Sequence, residues 1–158
     1  MAARRLTCVF VPGQAGVLAV ITTGSTVCGV GTLTAGLVGT NAANLQDSIK
    51  GETWEHKKMY PGFATQATTD GCTAAAALFT EIAADEGGHA AAYTVALKSL
   101  TNPKVKVPTP QTVDPVVITA STPACPGTKT QDNLLAAMHG EAFAYAKYTA
   151  YALQAARH

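Results

Sequence analysis

Acidic residues occupy core positions in two neighbouring predicted helices. Between Asn44 and Leu100, apolar residues recur every three or four positions, as on one face of a helix. The first face comprises Leu45, Ile49, Glu52, His56, Met59 and Phe63, and the second comprises Leu78, Ile82, Glu86, His89, Tyr93, Ala96 and Leu100. A carboxylate within an apolar stripe is costly to bury unless another group neutralises it. Two such carboxylates, with a histidine one turn after the second, indicate a shared cation.

Glu86 and His89 form a Glu-x-x-His step. Residues three positions apart lie on the same side of a helix, so the carboxylate and the imidazole can reach one metal ion together. Di-iron carboxylate bundles use this spacing on two helices and a lone Glu on the other two. Spacing alone leaves a second interpretation open, in which Glu86 is solvated and His89 is a hydrogen-bonded core residue. Glu52 and Glu55 on the preceding helix favour the metal site.

The same stretch resembles the second helical pair of rubrerythrins, which are members of the ferritin-like superfamily. The matching residues are Asn44-Leu45, Gly51-Glu52, Glu55, Met59-Tyr60-Pro61, Phe63-Ala64 and Ala84 to Ala90. A later stretch, Asn133 to Leu135 through Gly140-Glu141 to Tyr148, resembles the first helix of that family. Together the two stretches cover about residues 36–100 and 128–158. The helix order is therefore permuted or incomplete relative to the family.

The resemblance implies a metal site and a cofactor. The positions that match family metal ligands are Glu52, Glu55, Glu86, His89 and Glu141. The implied cofactor is a di-iron site, with manganese as an alternative. Glu55 corresponds to a carboxylate that changes coordination with the iron oxidation state. Tyr145 falls one turn after Glu141, where its hydroxyl could support catalysis.

The implied activity is peroxide reduction or ferroxidase-type oxidation. The four cysteines are scattered and no Cys-x-x-Cys occurs, so no rubredoxin-type iron site is predicted and a separate donor, such as a rubredoxin, would supply electrons. Residues 1–35 contain neither Glu nor His, so the second Glu-x-x-His of the family has no counterpart. A degenerate, non-enzymatic scaffold that binds one metal or none is the alternative.

His56 has two interpretations of its own, because it stands where the family usually has an aromatic residue. It lies one turn after Glu52, so it could contact the metal; otherwise it is a packed or hydrogen-bonded histidine. Gly87 and Gly88 are a second oddity, because glycine lowers helix propensity by roughly 1 kcal/mol relative to alanine.

The predicted fold class is all-α, a ferritin-like antiparallel bundle with three long helices. The domains are an uncertain Gly/Thr-rich segment at 1–40, a helical hairpin at 41–100, a proline-rich linker at 101–129 and a third helix at 130–158. The helices are expected over about 43–68, 72–100 and 131–156, with a kink at Pro61. Short strands or irregular chain are expected at Val9 to Val11 and Val17 to Thr22.

Charge and cysteine content bound the partners and the compartment. The net charge is +1, so nothing indicates nucleic acid, and no clear membrane segment is present. Four free thiols and a cytoplasmic location are expected, with a disulfide unsupported by the sequence. Three helices cannot close a four-helix core, so the expected assembly is a homodimer with helix exchange, in which Glu141 approaches the Glu52 and Glu86 helices of the partner.

Overall fold

The computed structural model describes residues 9–12, 18–21, 37–108 and 125–157. Two strands, β1 (Val9–Pro12) and β2 (Leu18–Ile21), pair in antiparallel fashion, with Val9 opposite Ile21. The helices are α1 (Asn41–Trp54), α2 (Tyr60–Thr69), α3 (Thr73–Ser99) and α4 (Lys129–Ala155), and a π-helical turn (Glu55–Met59) joins α1 to α2. The three long helical segments confirm the all-α ferritin-like fold class. The sequence also favours a short edge strand at Val116 to Thr119, and this segment lies outside the described residues.

The chain divides into two compact units. The first comprises residues 42–136, which include the hairpin α1–α2–α3 and the first part of α4. The second contains, among described residues, the two strands, residues 37–41 and the remainder of α4. No helix within the described part of the chain is long and apolar enough to cross a membrane.

Pro61 lies inside one continuous helical path, as the sequence predicts. It occupies the first turn of α2, and its missing N–H interrupts the helical hydrogen-bond ladder at that point. The π-helical turn precedes it directly, and there the Tyr60 N–H donates to the Glu55 carbonyl five residues earlier. The change of helix type thus accommodates the proline without ending the helix.

The hairpin core is small and aromatic. Tyr60, Phe63 and Phe79 meet with ring centroids 5.3 to 6.1 Å apart, and α2 packs along α3 beside them. The most buried line of α1 is Asn44, Ser48 and Glu52, which lies one position from the predicted Leu45 and Ile49. These last two residues are half-buried, so the predicted face is rotated slightly toward its polar edge.

The turn after α2 is tied to the start of α4. The sequence offers Thr69 or Asp70 as a cap for α3, but the Asp70 Oδ2 accepts hydrogen bonds from Thr130 N at 2.8 Å and Thr130 Oγ1 at 2.7 Å. These hydrogen bonds hold the pKa of Asp70 below its ordinary value. A disulfide joins Cys72 to Cys125, so the expectation of free thiols is wrong for this pair. The start of α4 is therefore fixed beside the α2–α3 turn.

The helical spacing in α4 predicts a buried face that is wrong at several positions; that face comprises Leu134, Met138, Glu141, Tyr145, Tyr148 and Ala152. Met138 and Tyr145 are 57% and 75% exposed, and Glu141 and Ala152 are also exposed. The buried residues are instead Thr130, Asn133, Ala137, Ala146 and Tyr151. The hydrogen bonds from Thr130 to Asp70 account for the burial of the first turn of α4.

Candidate metal centre

Two carboxylates and one imidazole converge between α1 and α3. His89 Nδ1 lies 2.7 Å from Glu86 Oε2 and 3.2 Å from Glu52 Oε2. Both carboxylates are buried, with 3% of Glu52 and 5% of Glu86 exposed, whereas about half of the His89 side chain is exposed. One ligand atom from each of the three residues lies within 4.8 Å of the others, and no other such group of three occurs among the described residues. The geometry is that of a candidate site for one cation.

The helical hairpin brings these side chains together. Glu52 lies in the last turn of α1, and Glu86 lies midway along α3. His89 follows Glu86 by three residues, so both side chains project from one side of α3. The sequence prediction that Glu52, Glu86 and His89 share a site agrees with this geometry.

The electrostatics of the site reflect its burial. Loss of water raises the pKa of Glu86 to about 7, and the neighbouring Glu52 contributes in the same direction. Hydrogen bonds to Glu52 and Glu86 raise the pKa of His89 to about 10. Burial, followed by the negative charge of the two carboxylates, raises the pKa of Tyr93 to about 12. Near neutral pH a protonated His89 therefore supplies the positive charge that the carboxylates attract.

The donor set fits a divalent metal ion that prefers oxygen and imidazole ligands. Carboxylates with one imidazole suit iron and manganese, and the absence of thiolate from this group disfavours soft metals. Three protein ligands leave coordination positions open, as catalytic metal sites require. A second ion would need further donors.

The remaining predicted site residues are not in this group. Glu55 is half-buried and opens the π-helical turn, three residues after Glu52. Glu141 and Tyr145 are exposed on the part of α4 that belongs to the other compact unit. Their roles as ligand and catalytic residue stay predictions.

Of the two interpretations of His56, the structure agrees with the hydrogen-bonded histidine. Its Nδ1 lies 2.6 Å from the carbonyl oxygen of Ala83, and its ring packs against Gly87. It is not a member of the donor group. His56 and Gly87 are each unusual in the sequence, but no local pattern connects them because they lie in different helical segments.

The sequence similarity to known proteins covers most of the α1–α2–α3 hairpin. The rubrerythrin family model matches residues 28–97. Over this segment the chain is similar to rubrerythrins. A rubrerythrin of Porphyromonas gingivalis is 38% identical over 63 residues, which cover 40% of this chain and 32% of that protein. The chain thus matches about a third of the length of this curated rubrerythrin.

The rubrerythrin match includes Glu52, Glu55, Glu86 and His89 but ends before α4. The family match therefore does not test the predicted resemblance of residues 128–158 to a further rubrerythrin helix. It does not test the role of Glu141 either. No solved structure matches the chain significantly.

Proposed function

We propose that the protein is a rubrerythrin-like non-haem di-iron oxidoreductase that reduces hydrogen peroxide or oxidises Fe(II). The observation that carries this proposal is the buried group of Glu52, Glu86 and His89 within a rubrerythrin-family segment. Burial of two neighbouring carboxylates destabilises the folded protein. A bound metal cation would offset this cost by neutralising their negative charge.

In the proposed reaction, hydrogen peroxide takes up two electrons and two protons and yields two molecules of water. Bound iron would supply the electrons, and a separate donor such as a rubredoxin would replace them. Glu52, Glu86 and His89 would hold the metal, and burial of the carboxylates would exclude water from their side of it. We assign Glu55 as the additional carboxylate on the α1 side, because it lies one turn after Glu52 and is partly buried.

Activity can be tested on the full chain. Metal-free protein is loaded anaerobically with Fe(II), and peroxide consumption is followed with a chemical reductant. We expect activity in the wild type, loss of activity in Glu86→Ala, and retention in Glu81→Ala, which removes an exposed carboxylate from the same helix. Equal rates in the wild type and Glu86→Ala would contradict the proposal.

A second candidate function is a non-enzymatic scaffold with one metal ion. It is favoured by the single group of three donors in the described part of the chain. The number of ions bound separates the two functions, since the enzyme requires two irons per site and the scaffold binds one or none. Competition between Fe(II) and Mn(II) in the same titration identifies the preferred metal.

We propose a homodimer in which the start of α4 stays tied to its own α2–α3 turn by the Cys72–Cys125 disulfide, so that the exposed apolar face further along α4 packs against a second copy rather than the whole helix being exchanged. Large apolar side chains are exposed along α4, at Leu135, Met138, Tyr145 and Leu153, and covering them contributes roughly 25 cal/mol per Å² of apolar area. Glu141 lies on the same helix and would reach the partner's site. Sedimentation of dilute wild type and of Met138→Lys tests this: we expect a dimer and a weakened dimer, and a monomeric wild type would contradict it.

For the compartment, our proposal from the sequence is the cytoplasm. The Cys72–Cys125 disulfide argues against it, because such bonds are rare in reducing compartments. Thiol labelling of the protein in intact cells decides between the two: labelled Cys72 and Cys125 support a reducing compartment, and protected cysteines support an oxidising one.

A further inference from the structure

A histidine from the π-helical turn rests directly on the backbone of α3. The Ala83 carbonyl oxygen can only accept a hydrogen bond, so the His56 Nδ1, 2.6 Å away, carries the hydrogen and donates it. We propose that His56 is a positioning residue, and that its contact with Ala83 and Gly87 sets the spacing of the two ligand-bearing helices. This inference rests on the proposed metal site.

Gly87 makes the contact possible. A Cβ atom at this position would lie 2.9 Å from both Cε1 and Nδ1 of His56 and 3.3 Å from its Cγ. Distances below 3.0 Å are essentially never seen for a Cβ atom, so any larger residue would force the ring away. The requirement for a close approach explains why a glycine stands in the middle of α3, where it lowers helix propensity.

The contact lies at the level of the metal ligands. His56 follows Glu52 by one helical turn, Gly87 is adjacent to Glu86, and Ala83 precedes Glu86 by one turn. The π-helical turn that carries His56 packs on α3 in the same region. When the ring keeps its side-chain torsions, its movement away from α3 moves the backbone next to Glu52 away from Glu86.

The size of that movement decides whether the site is affected. Restoring ordinary van der Waals contact, at 3.4 Å or more, from 2.9 Å requires a shift of about 0.5 Å. Metal–ligand distances in a well-formed site vary by only about 0.2 Å. The ring cannot rotate away freely, because its hydrogen bond to Ala83 fixes its orientation. The shift of about 0.5 Å therefore exceeds the variation of about 0.2 Å in metal–ligand distances, so displacement of His56 is expected to disturb the metal site.

The test is a double-mutant cycle with Co(II) as the probe. Wild type, Gly87→Ala, His56→Ala and the double variant are titrated with Co(II), and the ligand-field absorption of the bound ion reports its coordination geometry. We expect Gly87→Ala to weaken Co(II) affinity by about tenfold and to alter the absorption band, as changes in groups that orient ligands typically do. In the His56→Ala background the same substitution should change affinity by less than about twofold, because the ring that it displaces is absent.

The matched control is Gly62→Ala. Gly62 is also helical, but nothing lies within 4 Å of an added Cβ, so this variant should keep the wild-type affinity and spectrum. The melting temperature of each metal-free variant is measured in parallel. If Gly87→Ala does not fold, recovery of folding and Co(II) binding in the double variant supports the proposal.

Two results would overturn the inference: wild-type affinity and spectrum in Gly87→Ala, or equal losses from Gly87→Ala with and without His56. Absence of Co(II) binding by the wild type would instead count against the proposed metal site. In that case, additive melting temperatures in the metal-free cycle would also overturn the contact between His56 and Gly87.

Discussion

Replacement of Glu86 by Gln should stabilise the metal-free protein at alkaline pH. The buried Glu86 has a pKa of about 7, compared with an ordinary value of 4.5. Its folded-state pKa lies above the unfolded value, so the unfolded chain loses the proton first as pH rises. Wild-type stability therefore falls between about pH 4.5 and pH 7, and the full penalty is present above that range. Glutamine does not ionise and escapes this penalty.

The magnitude follows from the difference of 7 − 4.5 = 2.5 pKa units. At about 1.4 kcal/mol per unit, the penalty at pH 8 is of order 3 kcal/mol. Glutamine retains an oxygen that can accept the hydrogen bond from His89, but it loses the attraction between the carboxylate and the imidazolium. That loss partly offsets the gain, so we expect Glu86→Gln to be more stable than wild type by about 1 to 3 kcal/mol at pH 8.

His89 affects the same comparison with a pH dependence of the same sign, but at higher pH. Its pKa is raised to about 10, so its stabilising contribution is present below about pH 6.5 and is lost as pH rises through about 10. Because half of its side chain is exposed, solvent screening makes this contribution smaller than the pKa alone implies. At pH 8 the folded protein still holds the His89 proton, but the unfolded chain has lost it near pH 6.5, so part of this contribution is already lost. That loss occurs in wild type and in Glu86→Gln, so the comparison between them reports mainly on Glu86.

The assay is urea unfolding in the presence of a chelator at pH 4.5 and pH 8. The stability difference between Glu86→Gln and wild type should grow in favour of the variant between these two pH values. Glu81→Gln, an exposed change on the same helix, should show no such growth. A variant that gains nothing relative to wild type on moving to pH 8 would refute the reasoning.

Three further measurements test the metal ligands, the disulfide and an open helical glycine. Metal binding should release about two protons at pH 6, from Glu86 and His89, but about one at pH 8, from His89 alone; calorimetry in buffers of different ionisation enthalpy measures this number, and equal release at both values would contradict the assignment. Changing Cys72 and Cys125 to Ser should lower the free energy of unfolding by up to about 4 kcal/mol, because the bond closes a loop with a sequence separation of 53; an unchanged urea midpoint would contradict this. Gly62→Ala should raise stability by up to about 1 kcal/mol, since the position is helical and open, and a lower melting temperature would contradict it.

The sequence was sufficient to find the three grouped donors. Glu52, Glu86 and His89 stand in periodic apolar stripes, and a charged residue in such a stripe is conspicuous whatever the details of packing. The helix boundaries also followed from local signals, with α3 predicted over about 72–100 and observed at Thr73–Ser99. Each of these signals lies in a short stretch of chain, although the grouping joins residues as far as 37 positions apart.

Contacts between residues far apart in the chain could not be predicted from local sequence patterns. Asp70 and Thr130 are 60 positions apart, so the sequence suggested only a local cap of α3. Likewise, no local pattern pairs Cys72 with Cys125. The seat of His56 on Gly87 had a signal in each helix, a histidine in place of an aromatic residue and a glycine beside a ligand, but only the packing of the helices joins them.

Iron counting tests the central claim most directly. Metal-free protein is dialysed anaerobically against Fe(II), and bound iron is measured per chain for wild type, Glu52→Ala, Glu86→Ala, His89→Ala and the exposed control Glu81→Ala. We expect tight binding of two irons per site in wild type and in the control, and a clear loss in each of the three variants. Wild-type protein that retains no iron, or variants that retain as much as wild type, would contradict the assignment of Glu52, Glu86 and His89 as metal ligands.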